Sequence, residues 1–169
     1  MEPRIEDMCP ELAEKYQLHG QRLIDVGIRY RLACVLRLPI HQEALWAQGR
    51  EPLTVVNLLR VAAGMSPLPL TLSGVYGGKR VTYAEHPEKW IVTKTKNSRH
   101  FPDKLGKSHA YDIEILKSLD DGGKIHWDTK YDGQDDGKPD YIQAAEEGKA
   151  CGLECGADWG DYPHYQVSR

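Results

Sequence analysis

Two short stretches of this 169-residue chain carry side chains whose types and spacing suit metal-assisted hydrolysis. DYPHYQ sets Asp161 three residues before His164, and SRHFPDKLGKSHAYD supplies His100 and Asp112. Two imidazoles and one carboxylate make a ligand set that zinc accepts, with a coordination position left open. A hydrolytic site also needs an acid that can take a proton from water, and Asp161 would flank a metal held by His164. Chance alone supplies some Asp-x-x-His in a chain with seven histidines and 25 acids, so the fragments gain weight only from what positions them.

Apolar spacing gives a helix over residues 10–25, through Leu12, Tyr16, Leu18 and Leu23, with Pro10 at its start. YRLACVL, 30–36, reads as a buried strand; 41–48 reads as a short helix stopped by Gly49, and 53–63 as an amphipathic helix ended by Gly64 and Pro67. From 68 to 97 glycine and proline break the chain into short β segments or loops. AYDIEIL, 110–116, alternates as a strand does and carries Asp112. The acidic, glycine-rich stretch 128–139 is a loop, 141–151 a helix and 162–167 a terminal strand that carries His164. The mixed order predicts an α+β fold, a small antiparallel sheet with helices packed on one face.

The length suits one domain over residues 1–169, and nothing in the sequence marks a second. A net charge of −3 makes no case for nucleic acid or an anionic membrane. The most apolar stretch, 53–65, is too short to span a bilayer and contains Arg60, so membrane insertion is not expected. The first sixteen residues lack the basic start and apolar run of a signal peptide, which predicts a protein of the producing cell's cytoplasm; a monomer is expected. Cys9, Cys34, Cys151 and Cys155 are then expected as thiols.

Three blocks resemble the peptidoglycan zinc peptidases, the family of D-alanyl-D-alanine carboxypeptidases and phage L-alanyl-D-glutamate endopeptidases. Ser98, His100, Ala110 and Asp112 resemble a first signature, Ser-x-His followed by Ala-x-Asp. GLECGADWGDYPHYQ, 152–166, resembles a second: Gly-Leu-Glu-Trp-Gly-Gly, a Trp, then Asp-x-Pro-His-Phe. LRLPIHQEALWAQGR, 36–50, and IVTKTKNSRH, 91–100, resemble the family's upstream block and the run into its first histidine. The blocks stand in family order from residue 30 onward, and the phage endopeptidase branch is the nearer in pattern.

The resemblance implies a hedgehog-like zinc fold with one zinc ion held by His100, Asp112, His164 and water. It implies Asp161 as the catalytic acid/base, and Arg37 with Gln42 as binders of a substrate carboxylate or carbonyl. Ser98 and Trp159 fall among the substrate-binding positions, and His126, between the two metal blocks, is a candidate cleft residue. The implied partner is the peptidoglycan stem peptide, cut between L-Ala and D-Glu by a phage or prophage endolysin that reaches the wall after release. A D-Ala-D-Ala carboxypeptidase or dipeptidase of the same fold is the alternative enzyme, and a non-catalytic zinc module the alternative from another class.

This chain departs from the family in three places. His100 and Asp112 lie twelve residues apart, longer than the family's usual spacing, which a loop insertion within PDKLGKS would explain. That leaves His109 as a rival ligand, although residues three apart in a strand face opposite ways. Cys155 stands where the family has Trp, and Leu38 where a Ser follows the arginine.

Other motifs have plainer readings. Cys151 and Cys155 could bind metal but suit reduced thiols near a helix end. His19, His41 and His86 suit surface or capping positions. The loop from Asp132, with Asp136 and Asp140, partly matches a calcium-binding loop, but Gln143 replaces the bidentate Glu; a solvated acidic turn is the default.

Overall fold

The computed structural model describes residues 2–117 and 123–168. Contacts divide the chain into two units, Met1–Leu36 with Arg99–Arg169, and Arg37–Ser98.

The first unit holds helix α1 (Pro10–Asp25) and strand β1 (Tyr30–Cys34). It also holds β4 (Ala110–Ile115), helix α4 (Asp140–Ala150), β5 (Glu154–Cys155) and β6 (His164–Gln166). Pro10 sits in the first turn of α1, where its missing N–H has no partner to lose. The strands form one antiparallel sheet in the order β1-β4-β6-β5.

Alternation in β4 decides what each face of this sheet does. Tyr111, Ile113 and Ile115 are fully buried, and they share a core with Leu12 and Leu23 of α1 and with Tyr141, Ala144 and Ala145 of α4. Tyr111 stacks on Tyr165 of β6 with centroids 5.3 Å apart, and Tyr16 of α1 meets Tyr111 edge-on at 5.0 Å. Both helices therefore pack on the odd-numbered face of β4. Asp112 and Glu114 point the other way, which frees that second face for polar chemistry.

The second unit holds α2 (Pro39–Ala47), α3 (Leu53–Ala62) and a hairpin of β2 (Ser73–Tyr76) and β3 (Lys79–Thr82). Gly77 and Gly78, at φ +57° and +77°, make the two-residue turn, whose left-handed backbone suits glycine. Ala47, Val56 and Tyr83 form its small core, with Leu53, Leu59 and Trp90 packed around them. The inward face of α3 thus packs within this unit, as an amphipathic core helix should. No helix among the described residues is long and apolar enough to cross a membrane.

The structure differs from the expectations at particular points. The short strand β5 was not anticipated. The terminal strand begins at His164, because residues 161–164 form a turn in which His164 N–H donates to Asp161 O at 3.1 Å. His19 is a core residue, 1% exposed, and not a surface one. Its Nδ1 lies 2.7 Å from the Tyr111 hydroxyl and its Nε2 lies 2.9 Å from Ala144 O, so the buried ring is fully bonded while neutral.

Burial lowers the pKa of His19 from 6.5 to about 4. A depressed histidine pKa means that the unfolded chain binds the proton first. The stabilisation is complete above pH 6.5 and is lost as pH falls toward 4, by about 3 kcal/mol. Urea melts of wild type and His19→Gln at pH 7 and pH 4 check this. The variant should lose less stability on acidification, and an unchanged difference would refute the assignment.

Candidate metal centre

Cross-strand register brings Asp112 and His164 together. Asp112 of β4 is the direct partner of His164 of β6, and residues opposed in antiparallel strands project to the same side. His100 joins them from the segment before β4, with 2% exposure. Its distance from Asp112 in sequence is absorbed by a loop that closes on itself. Asp103 N–H donates to Lys107 O at 2.9 Å, and the Asp103 carboxylate accepts the amides of Leu105 and Lys107 at 2.8 and 2.9 Å. His109 turns toward this loop, with Nε2 3.0 Å from Asp103 Oδ2. His100, not His109, is the histidine set against Asp112.

Three ligand atoms converge. His100 Nε2 lies 3.1 Å from Asp112 Oδ1, His164 Nδ1 lies 3.0 Å from the same oxygen, and the two nitrogens are 3.3 Å apart. The outer partners settle where the ring hydrogens are. His100 Nδ1 faces Val35 O at 2.8 Å, and a carbonyl only accepts, so Nδ1 carries a hydrogen and, in the neutral ring, Nε2 holds the lone pair. His164 Nε2 faces Gln166 Oε1 at 3.0 Å. The Gln166 amide is oriented by donating its own N–H to Glu154 Oε2 at 2.5 Å. His164 Nε2 therefore carries the hydrogen, and its Nδ1 lone pair points inward.

Two imidazole lone pairs and a carboxylate oxygen thus meet at 3.0–3.3 Å, where a positive charge must reconcile them. Ligand bonds of ~2.0–2.1 Å around a tetrahedral zinc ion give edges of about 3.3 Å. The residues present fit such an ion, and the Val35 carbonyl and the Gln166–Glu154 relay are the supports that metal-bound histidines require. Burial opposes charge on His100, but the Asp112 carboxylate more than offsets it and raises the pKa to about 10, so with no cation between them the ring takes a second proton on Nε2, the proton that a metal ion would replace. Asp112, also against burial, is held well below the usual carboxylate range by His100 and His164.

Asp161 lies on the exposed surface at the turn into β6. Its amide donates to Gly156 O at 2.8 Å, and Gly160 before it has φ +82°. Gly156 is needed for close approach, since a Cβ there would lie 2.1 Å from Asp161 O and 2.8 Å from His164 Cβ. Gly156→Ala is expected to displace the Asp161–His164 turn and cost about 1–3 kcal/mol. Denaturant midpoint and bound metal should fall together, and wild-type values for both would contradict this placement.

Trp159 is half-exposed, with its ring 6.1 Å from that of His164, so it borders the centre. Arg37 and Gln42 lie in the second unit, where Arg37 donates to Gln42 Oε1 at 3.1 Å. Gln42 is 2% exposed and donates to Thr93 Oγ1 and Thr95 O at 3.0 and 2.6 Å, which makes it a brace for the arginine. Ser98 is half-buried at the end of the same unit.

His126 is 4% exposed, packed on Tyr131 and Tyr141, with Nε2 3.4 Å from the buried Asp140 Oδ2. That environment gives it a core role, not a cleft one. The acidic loop is tied up by its own hydrogen bonds. Asp132 accepts the amides of Asp136 and Gly137, Asp136 accepts that of Lys138, and Asp140 accepts that of Gly133. Cys151 and Cys155 are buried thiols, pushed to higher pKa by burial.

Sequence reasoning passed over one side chain near this cluster that could hold a metal ion. Cys34, an ordinary strand residue by its pattern, lies with His100 and Asp112 so that one ligand atom of each falls within 4.8 Å of the others.

No family model matches the chain. The peptidoglycan L-alanyl-D-glutamate endopeptidase CwlK of Bacillus subtilis (strain 168) is 40% identical to it over 63 residues, 35% of this chain and 38% of CwlK. The chain therefore matches well under half the length of that relative, and within this limit it is similar to a wall-peptide endopeptidase.

Proposed function

We propose that this chain is a zinc peptidase of hedgehog-like fold that hydrolyses the L-Ala–D-Glu bond of peptidoglycan stem peptides. The observation that carries the reading is the convergence of His100, Asp112 and His164 at 3.0–3.3 Å with both imidazole lone pairs turned inward. The partial similarity to CwlK supplies the substrate class.

Zinc bound by these residues would polarise the scissile carbonyl and acidify a water molecule. The rest of the work falls to the chain's own groups. Asp161 takes a proton from the attacking water and returns it to the leaving amine. The Gly156–Asp161 hydrogen bond fixes the turn from which it acts. Val35 O and Gln166 hold the two imidazoles in the tautomers that present lone pairs to the ion. Trp159 flanks His164 and offers an apolar wall to the peptide. Arg37, braced by Gln42, is assigned to a substrate carboxylate or carbonyl, and Ser98 to the substrate as well. The biological setting that fits is a phage or prophage lysin acting on the wall after release.

Mass analysis of purified muropeptides after incubation with the protein tests this. The expected products are a peptide beginning at D-Glu and a muropeptide ending at L-Ala. Release of free D-Ala would instead identify a carboxypeptidase, and intact muropeptides with metal bound would identify a non-catalytic module.

A further inference from the structure

The overall charge of −3 hides an uneven split. Residues 37–98, the second unit, carry eight Lys and Arg against four Glu, whereas the rest of the chain carries fourteen against 21 acids. No acidic residue stands between Glu51 and Glu85, although the chain has 25 acids. The same unit holds ten of the sixteen large apolar side chains that are exposed among the described residues.

Both features meet at the tip of the β2–β3 hairpin. Every residue from Val75 to Arg80 is exposed, and Val75 keeps 66% of its surface in water. Val75 is the direct partner of Arg80, and Tyr76 of Lys79, so each apolar side chain shares a face with a cation. Lys89 adds a third cation, its Nζ 5.9 Å from the centroid of the Tyr76 ring. The tip is anchored to the rest of the unit: the Tyr76 hydroxyl donates to Lys89 O at 2.9 Å, and its ring meets Trp90 edge-on at 5.6 Å. Beyond Trp90 the exposed Val92 is followed by Lys94 and Lys96, also exposed.

The two glutamates near this surface are engaged locally. Glu85 accepts the Thr82 N–H and hydroxyl at 3.0 and 2.7 Å, and Glu88 lies 3.2 Å from His86 Nδ1. The surface is therefore cationic with apolar side chains set among the charges. A soluble polyanion would reward the cations and leave Val75 in water. The boundary of an anionic bilayer takes both, cations among the headgroups and apolar side chains beneath them.

We propose that the β2–β3 hairpin docks on the surface of an anionic phospholipid bilayer, with Lys79, Arg80 and Lys89 at the headgroups and Val75 below them. The contact is peripheral and needs no spanning segment. It is independent of both the metal centre and the peptidase reading. Each cation at such a surface strengthens binding about fivefold, and salt weakens the attraction.

The test is co-sedimentation of the full chain with vesicles of equimolar phosphatidylglycerol and phosphatidylcholine, and with vesicles of phosphatidylcholine alone. Wild type should sediment with the first and not the second, and added salt should release it. The double variant Lys79→Ala/Arg80→Ala should bind about 25-fold more weakly. Val75→Ser, which keeps every charge, should bind at least about threefold more weakly. Lys130→Ala, in the first unit, should bind as wild type does. Near-UV dichroism of the hairpin variants checks that Tyr83 and Trp90 remain packed, and their cleavage of soluble muropeptides should equal that of wild type.

Sedimentation with neither vesicle, or equally with both, overturns the proposal. Wild-type binding by the double variant or by Val75→Ser does so too, as does binding to soluble polyphosphate with none to vesicles. Vesicle binding with uncut muropeptides supports the docking surface and overturns the peptidase reading.

Discussion

Replacing Asp161 with alanine is expected to slow muropeptide hydrolysis by about 10²–10⁴-fold and to leave the zinc content unchanged. The separation of these two effects follows from where Asp161 stands. It holds the turn through its backbone, with N–H to Gly156 O and C=O from His164 N–H, and neither bond uses its carboxylate. The alanine variant therefore keeps the hydrogen bonds that lead into β6, and His164 with them. What it loses is the carboxylate to which the proposed mechanism assigns the proton transfer. Steady-state hydrolysis of a purified muropeptide, paired with metal analysis of the same sample, measures both quantities. Wild-type turnover by the variant would remove Asp161 from the mechanism, and loss of metal would move it to a structural role.

The second large effect is expected at Asp112. Its Oδ1 is common to both histidine contacts, so Asp112→Asn removes the negative charge that draws a cation between them while keeping the side chain's shape. Zinc affinity should fall by at least about 100-fold, more than for residues that merely orient ligands. The fold should survive, because the apolar core of the first unit lies on the opposite, odd-numbered face of β4. Competition with a chromophoric chelator gives the affinity, and near-UV dichroism reports the packing of Tyr111 and Tyr165. Unchanged affinity would mean that the carboxylate serves only as a hydrogen-bond acceptor for the two imidazoles.

The parts of this architecture that were legible in the sequence are those set by local periodicity. Pro10 and the spacing of Leu12, Tyr16 and Leu23 mark α1, which runs over Pro10–Asp25 as expected. Alternation in AYDIEIL marks β4 and predicts that Asp112 points away from the isoleucines. His19 was misassigned although it falls on the same helical stripe as Leu12, Tyr16 and Leu23. A histidine's type suggests exposure, but tertiary partners, the Tyr111 hydroxyl and Ala144 O, satisfy it inside.

Two features had no local signal. β5 consists of Glu154 and Cys155 and exists only because β6 is there to pair with it. The position of Cys34 follows from a one-residue register shift, which pairing creates and composition does not announce. The rivalry between His100 and His109 was likewise open in the sequence. It turns on whether 103–107 closes as a loop, and Asp103 caps that loop and engages His109.

That same pair of histidines gives the most direct test of the metal centre. Zinc per chain is measured for wild type and for His100→Ala, His109→Ala and His164→Ala, each purified identically. The account predicts one equivalent in wild type and His109→Ala, and loss in His100→Ala and His164→Ala. Zinc retained by His100→Ala and lost by His109→Ala would contradict it.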